Sequence, residues 1–508
     1  MSVARKILWN TVSQIMGKAV LAVIGFATVK VITNYLGEVA GYGNYTAVYD
    51  FIALFGIVSD LGLYTIAVRE MAKDESQMNK IIGNILTIRT VLALATMLVA
   101  FATSFFYARP DTGILFPLAA AISATATIFA LLTGTISTVL QVNYKMHYNA
   151  MASVLGKVVA LSYMLFVVFL WHPGNINDGF YQLLAAGIIG NIAMFLTTFF
   201  YARKFAKIRY RFDWLFVKDV VINSLPYGLA LILNSLYFRI GSIMLYPLAG
   251  PEQSGIYGLP MRILESIAII PLYFMNSVLP TLTRTLKEKG EKYKQVIQYS
   301  FDALMMGGVA MVIGVYVIAY QVIYLLSNER FLSRLPDGYY GSDIALQIVI
   351  FALSFSFINT LFGFILVAIN RQGKLLYVNA TGAVVAVICN FFLIPTLGAR
   401  GAAITDVVVE FMVALAAYLF AKKYLDFKIN LKNTFKILFA GALMGVTIWA
   451  LKEPTYHFLN LQNKNLLLLI PIGGVVYIGA LFATRAITKE MIDLVRKREP
   501  KTEPAIPE

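Results

Sequence analysis

Residues 82–107 read IGNILTIRTVLALATMLVAFATSFFY and carry a single charge, Arg89. A hydrocarbon core about 30 Å thick needs about 20 apolar residues to cross it as a helix, and this run exceeds that. Its apolar positions show no polar face, so it reads as a spanning helix rather than the amphipathic helix of a soluble core. Working outward, similar runs recur with short polar breaks. They lie near 8–33, 42–67, 114–140, 151–171 and 180–201, then 219–247, 256–283, 299–326, 342–369, 377–394, 401–421, 435–451 and 465–485. The expectation is therefore about fourteen membrane helices. The first run is too long for a signal-peptide core and has no small-residue cleavage site after it, so it is read as retained.

Composition agrees. The chain has 508 residues, 59% of them hydrophobic and 14% charged. Soluble domains carry about a quarter charged residues, so a soluble multidomain chain, a disordered chain and a coiled coil are all excluded. One cysteine, Cys389, permits no internal disulfide. The three histidines lie far apart and show no metal-ligand spacing. No phosphate-cradling glycine loop ending in Lys-Ser/Thr occurs. The longest loops, about 20 residues, are too short to hold a soluble active site. The reading is a non-enzyme with no bound cofactor.

The net charge of +15 would suggest nucleic acid in a soluble protein, but here the positions of the cations decide. With Arg5 and Lys6 placed in the cytoplasm, the even-numbered breaks hold most of the rest. These include Arg69, Lys73 and Lys80, the cluster from Arg203 to Lys218, Arg284 to Lys294, and Lys422 to Lys432. The odd breaks hold only Arg109, Arg330, Arg334, Arg400, Lys452 and Lys464. That is the positive-inside pattern of a multi-pass protein of the cytoplasmic (plasma) membrane with both termini cytoplasmic, and it removes the need for a nucleic-acid partner.

Gly37-Glu38-Val39-Ala40-Gly41-Tyr42-Gly43 and Pro251-Glu252-Gln253-Ser254-Gly255-Ile256-Tyr257 stand at corresponding outer positions before helices two and eight. Internal repeats of this kind are common in transporters. The expected fold is an all-α polytopic membrane protein: two pseudo-symmetric six-helix lobes plus two C-terminal helices around a central cavity. The lobes cover 1–202 and 219–421, joined by a basic cytoplasmic linker at 203–218. The extra helices occupy 422–486, and a cytoplasmic tail covers 487–508.

A charge at bilayer depth costs at least about 2.5–3.5 kcal/mol and faces a cavity or a partner. Lys18, Arg89, Lys157, Arg239 and Arg262 stand inside the expected spans, as do Asp50, Asp60, Glu265, Asp406 and Glu410; Lys30 is nearer an end. A water-filled, net basic cavity would accommodate them and suit a phosphate or pyrophosphate headgroup, which the arginine fork pairs well. Simpler readings stand beside this one. Arg262 and Glu265, three apart, can neutralise each other on one face. Asp406 and Glu410 share a face, where one can be protonated or a lysine from another helix can sit between them. Arg89, Lys157 and Lys30 can snorkel. Lys18, Arg239 and Asp60 fit cavity lining best. The breaks at Pro226-Tyr227-Gly228, Pro247, Pro260, Pro271 and Pro280 are hinges or static kinks.

The stretch Leu366-Val-Ala-Ile-Asn370-Arg371-Gln-Gly373-Lys374, followed by Asn390-Phe-Phe-Leu-Ile394-Pro395-Thr-Leu-Gly398-Ala-Arg-Gly401-Ala402-Ala403-Ile404 and Glu410, resembles the helix ten to twelve signature of the polysaccharide-export (O-antigen-type) flippases. These belong to the multidrug/oligosaccharidyl-lipid/polysaccharide exporter superfamily. Tyr257 and Arg262 with Pro271 and Pro280, Gly41-Tyr42-Gly43 with Gly62 and Arg69, and Leu140-Gln141 with Lys145-Met146 resemble that family's helix eight, helix two and helix four-to-five loop. The resemblance implies two six-helix lobes, often with two extra helices. It implies flipping of a polyprenyl-(pyro)phosphate-linked oligosaccharide for cell-surface polysaccharide biosynthesis by alternating access, coupled to H+ or Na+ in at least some members. On that reading Lys18, Arg239, Arg262, Lys157, Arg89 and Lys30 are the substrate-binding set and Asp50, Asp60, Glu265, Asp406 and Glu410 the ion-coupling set. Membrane lipids and glycan polymerases or glycosyltransferases are the expected partners. The alternatives are a lipid II flippase or multidrug exporter of the same superfamily, a non-transporting scaffold of a glycan-synthesis complex, and an embedded transferase.

Overall fold

The computed structural model describes residues 3–109, 115–172, 174–288, 291–457 and 462–487. Lys289 and the expected tail from 488 onward lie outside the described residues, as do the side chains of Arg5 and Lys6. The described chain is almost wholly helical: α1 (Val3–Leu36), α2 (Val39–Asp60), α3 (Leu63–Lys73), α4 (Met78–Tyr107), α5 (Phe116–Val142), α6 (Met146–Phe166), α7 (Ile176–Ala202), α8 (Trp214–Ile267), α9 (Ile269–Lys287), α10 (Lys292–Leu326), α11 (Ser342–Ala368), α12 (Gly373–Leu397), α13 (Ala399–Tyr424), α14 (Lys432–His457) and α15 (Leu466–Ala483). Among the described residues, 13 segments are long and apolar enough to cross a membrane. One of them, Ser235–Lys287, is 53 residues long, about 80 Å if straight. That is far more than one crossing needs. It is broken at Gly250, whose φ of +87° is open to glycine at little cost; because α8 begins at Trp214, the helical run on each side of the break is long enough for a crossing of its own.

The run expected at 42–67 is likewise two helices. Leu61 (φ 42°) and Gly62 (φ 72°) adopt left-handed backbone and end α2, and α3 then continues to Lys73. Apolarity alone does not register such a break, because the residues on both sides stay greasy. The expected loop between 247 and 256 is also helical apart from Gly250.

The chain divides into two compact units. The first comprises Met1–Ser266, Ile323–Val349 and Leu375–Val409. One apolar core of this unit joins α3, α4 and α5 to the end of α7 and the start of α8, through Met71, Ile82, Ile85, Val139, Leu140 and Val220. A second is aromatic. Tyr107 stacks on Tyr246 with centroids 5.5 Å apart, and Phe51 and Phe116 close on them at 4.7 and 5.4 Å. The Tyr107 hydroxyl donates to the Ile243 carbonyl and that of Tyr246 to Asn44, so the polar tips of these rings are satisfied within the apolar wall.

The second unit comprises Ile267–Val322, Ile350–Lys374 and Glu410–Glu508. Its core packs α10 on α14 and α15 through Val309, Ile318, Ile437, Met444, Ile448 and Leu469. Gly441 and Gly445 leave room for Ile313, and Gly473 for Ile448, which is the small-residue route to close helix packing in lipid. Asp302, buried on α10, accepts from the amides of Gln298 and Asn433 at 3.0 Å each, so each of its carboxylate oxygens has a protein donor.

Candidate functional site

In the first unit, α8 carries the residues that gather the site. Arg239 lies before its break and Arg262 after it. Asp50 on α2 accepts from Arg239 at 3.2 Å and from Arg262 at 3.3 Å. Glu265, one turn beyond Arg262, accepts from Arg239 at 2.9 Å and from Arg262 at 3.0 Å. Two guanidiniums and two carboxylates thus form a closed ring with no net formal charge. The side chains of Arg239 and Arg262 retain 24% and 27% of their exposure, that of Asp50 only 9%. The arginine side chains are therefore partly exposed while Asp50 is held inside.

Beside this ring on α8 is a second polar cluster. The Tyr257 hydroxyl donates to Asp406 of α13. Asn390 of α12 is fully buried, and neither its amide oxygen nor its amide nitrogen has a hydrogen-bond partner. Gly241 sits between these groups: a β-carbon there would lie 3.1 Å from the Tyr257 hydroxyl and 3.7 Å from both Asn390 Nδ2 and Asp406 Oδ1. An orphaned buried amide costs about 1–3 kcal/mol. Beside a carboxylate and a phenol, it supplies oxygens and a donor that a small cation or a proton relay would use. Among the described residues no cluster of three or more His, Cys, Asp or Glu could hold a metal.

The remaining charged residues divide by their neighbours. Arg89 is buried, pairs with Asp60 and donates to the carbonyls of Asp60 (2.9 Å) and Ser59 (3.3 Å). It therefore caps the C-terminus of α2, where unpaired carbonyls attract a cation. Lys30 donates to the carbonyls of Ser327 and Tyr324 and serves the end of α10 in the same way. Lys18 and Lys157 are exposed, on α1 and α6, which meet where Gly17 faces Ala150. Glu410 is buried four residues beyond Asp406, on the part of α13 that belongs to the second unit. The structure thus joins Arg239, Arg262, Asp50 and Glu265, joins Arg89 to Asp60, and sets Lys18, Lys157 and Lys30 apart from both.

The two stretches expected at corresponding positions, 37–43 and 251–257, also meet. A β-carbon on Gly43 would run into the Pro251 carbonyl, and one on Gly255 into that of Val39. Here α2 and the second part of α8 touch backbone to backbone. Asn390 carries no charge, so its unsatisfied amide does not stand out among the ionisable groups of the spans; its sequence signal is its place in the family-like stretch.

Residues 3–286 match the family described as polysaccharide biosynthesis protein. An uncharacterised membrane protein of Methanocaldococcus jannaschii is 27% identical over 241 residues, which is 44% of this chain and 43% of that relative, so the match spans less than half of the relative's length. The solved structure of the lipid II flippase MurJ in an inward closed conformation superposes with a TM-score of 0.73 at 13% identity, covering 96% of this chain and 100% of that one. An inward-facing multidrug resistance MATE transporter of the MOP superfamily gives 0.63 at 14% identity, over 81% of this chain and 97% of that one. A MOP superfamily transporter from Pyrococcus furiosus gives 0.58 at 17% identity, over 82% and 95%. At these identities the likeness is one of fold.

Proposed function

Because the chain belongs to the polysaccharide biosynthesis protein family, we propose that it is a flippase that carries a polyprenyl-(pyro)phosphate-linked oligosaccharide across the cytoplasmic membrane by alternating access. A flippase or exporter is the class of activity that this family and this fold support. The observation that carries the finer reading is the ring of Arg239, Arg262, Asp50 and Glu265. A phosphate or pyrophosphate presents the same paired oxygens as a carboxylate, with more charge, and so competes for the two guanidinium forks. Each carboxylate displaced from its guanidinium then requires a new counter-charge. A proton or sodium ion supplies it, which ties substrate binding to ion binding through charge balance alone. Lys18 and Lys157, exposed on spanning helices, give the anionic headgroup further cations on its path. Asp406 with Tyr257 and Asn390 is the second place for the coupling ion. Both termini face the cytoplasm in this reading, as the distribution of basic loops supports, and glycan polymerases or glycosyltransferases work beside it.

The test uses purified protein in liposomes carrying a fluorescent polyprenyl-pyrophosphate oligosaccharide in both leaflets, with an impermeant quencher outside. Transfer that rises with a pH or sodium gradient, and falls at least tenfold in Arg239→Ala at equal protein level, supports the reading. Transfer that is unchanged in Arg239→Ala removes the ring from the substrate path. A scaffold would show no transfer at all with any glycan.

A further inference from the structure

The basic segment between α7 and α8 does not hang free. From Lys207 to Asp213 it has no regular secondary structure and is hydrogen-bonded to the first turns of α4. The Lys207 N–H donates to Asn79 Oδ1 at 2.6 Å, the Arg211 N–H to the Gly83 carbonyl at 3.3 Å and the Asp213 N–H to Asn84 Oδ1 at 2.6 Å. The Thr87 hydroxyl donates to the Arg211 carbonyl at 2.7 Å. Gly83 lets the segment lie this close: a β-carbon there would stand 2.5 Å from the Arg209 carbonyl. The segment's one acid, Asp213, is taken by Lys80 at 2.7 Å.

Tyr210, Phe212 and Trp214 bring three aromatic rings to this segment, and the Phe212 ring meets that of Trp214 at 6.3 Å. All three are exposed, Phe212 by 64% and Trp214 by 63%. Arg209 and Arg211, next to these rings in sequence, are also exposed, and no described acid forms an ion pair with either.

We propose that this docked segment is a binding surface for anionic phospholipid headgroups of the leaflet at its own end of the molecule. A group of exposed aromatic rings next to spanning helices is the composition that settles at headgroup depth. Two unpaired guanidinium forks beside them in sequence match phosphodiester oxygens two at a time. The hydrogen bonds to α4 fix the segment beforehand, so little chain entropy is lost on binding. A soluble acidic partner would use the arginines and leave the aromatic rings in water; a zwitterionic bilayer would use the aromatic rings and leave the arginines without counter-charge. An anionic lipid surface uses both.

The chain has four tryptophans, so full-length protein with Trp9, Trp171 and Trp449 changed to Phe reports from Trp214 alone. It is reconstituted into nanodiscs with brominated phosphatidylglycerol or brominated phosphatidylcholine as quencher. Quenching should reach half-maximum at a fraction of phosphatidylglycerol at least about fivefold lower than of phosphatidylcholine, since each basic residue near a surface contributes about that factor. The preference should fade as salt is raised and vanish in Arg209→Gln/Arg211→Gln. Gly83→Val, which displaces the segment without touching a charge, should weaken it too. Equal quenching by the two lipids overturns the proposal, as does a preference that survives the double substitution. If the double variant folds poorly, the salt dependence of the parent protein decides alone: a preference unaltered between low and high salt overturns the proposal.

Discussion

Arg239 and Asp50, 189 positions apart in sequence, meet at 3.2 Å between α8 and α2. The contact is one of the four in a ring in which each acid serves both arginines, so the four residues act as one electrostatic unit. Asp50→Asn leaves two guanidiniums on Glu265 alone. Breaking a buried pair costs about 3–5 kcal/mol, and the partial exposure of the arginines lowers that to about 2 kcal/mol. The balanced double substitution Asp50→Asn/Arg239→Gln should unfold at a higher temperature than Asp50→Asn alone. Thermal unfolding of the two single variants and the double variant in detergent gives the coupling; strictly additive losses would show that the ring is not a unit.

Asn390 makes the opposite prediction for stability. Its amide is buried with neither atom bonded, so Asn390→Leu, which keeps the branched heavy-atom outline, removes an unsatisfied polar group. Stability should hold or rise by about 1 kcal/mol, while gradient-driven transport in liposomes should fall at least tenfold. A residue kept against stability is the signature of a working site. Lower stability with normal transport would make Asn390 an ordinary packing residue.

The sequence carried the spanning helices well, because a run such as 82–107 has one reading in lipid. It carried the identities of the buried charges but not their pairings. Nothing in spacing says that Arg89 closes the end of α2 with Asp60, because that contact depends on the left-handed turn at Leu61–Gly62, which leaves hydropathy unchanged. The Arg262–Glu265 pair was legible, being three apart on one helix. Arg239 and Asp50 required the fold. The expected net basic cavity reflects the same limit: cations are countable in sequence, but which acids already hold them is not.

Close backbone contact at the paired outer stretches separates two kinds of glycine. Gly43 faces the Pro251 carbonyl, whereas Gly134, within α5, has nothing within 4 Å of a β-carbon. Gly43→Ala must push α2 from α8 and should destabilise by about 1–3 kcal/mol. Gly134→Ala meets open space and should stabilise by about 0.5–1 kcal/mol. Melting temperatures of the two variants should therefore move in opposite directions; a shift of the same sign in both would deny the close approach.

The linker has its own pH dependence. The hydrogen bond from Lys80 holds the Asp213 carboxyl below its ordinary value of 3.8. A carboxylate whose folded value is depressed contributes stability that is complete above the unfolded value and is lost as pH falls through the folded one. Docking of the segment on α4 should therefore be constant from neutral pH down to about 4 and weaken only in stronger acid. Asp213→Asn should remove the charge part of that clasp at every pH, leaving the backbone bonds to Gly83 and Asn84 in place. Acrylamide quenching of Trp214 in the single-tryptophan background reads this directly: a rise below about pH 4 in the parent, and a higher, flatter curve in Asp213→Asn. A parent curve that already rises between pH 7 and 5 would assign the clasp to a different titrating group.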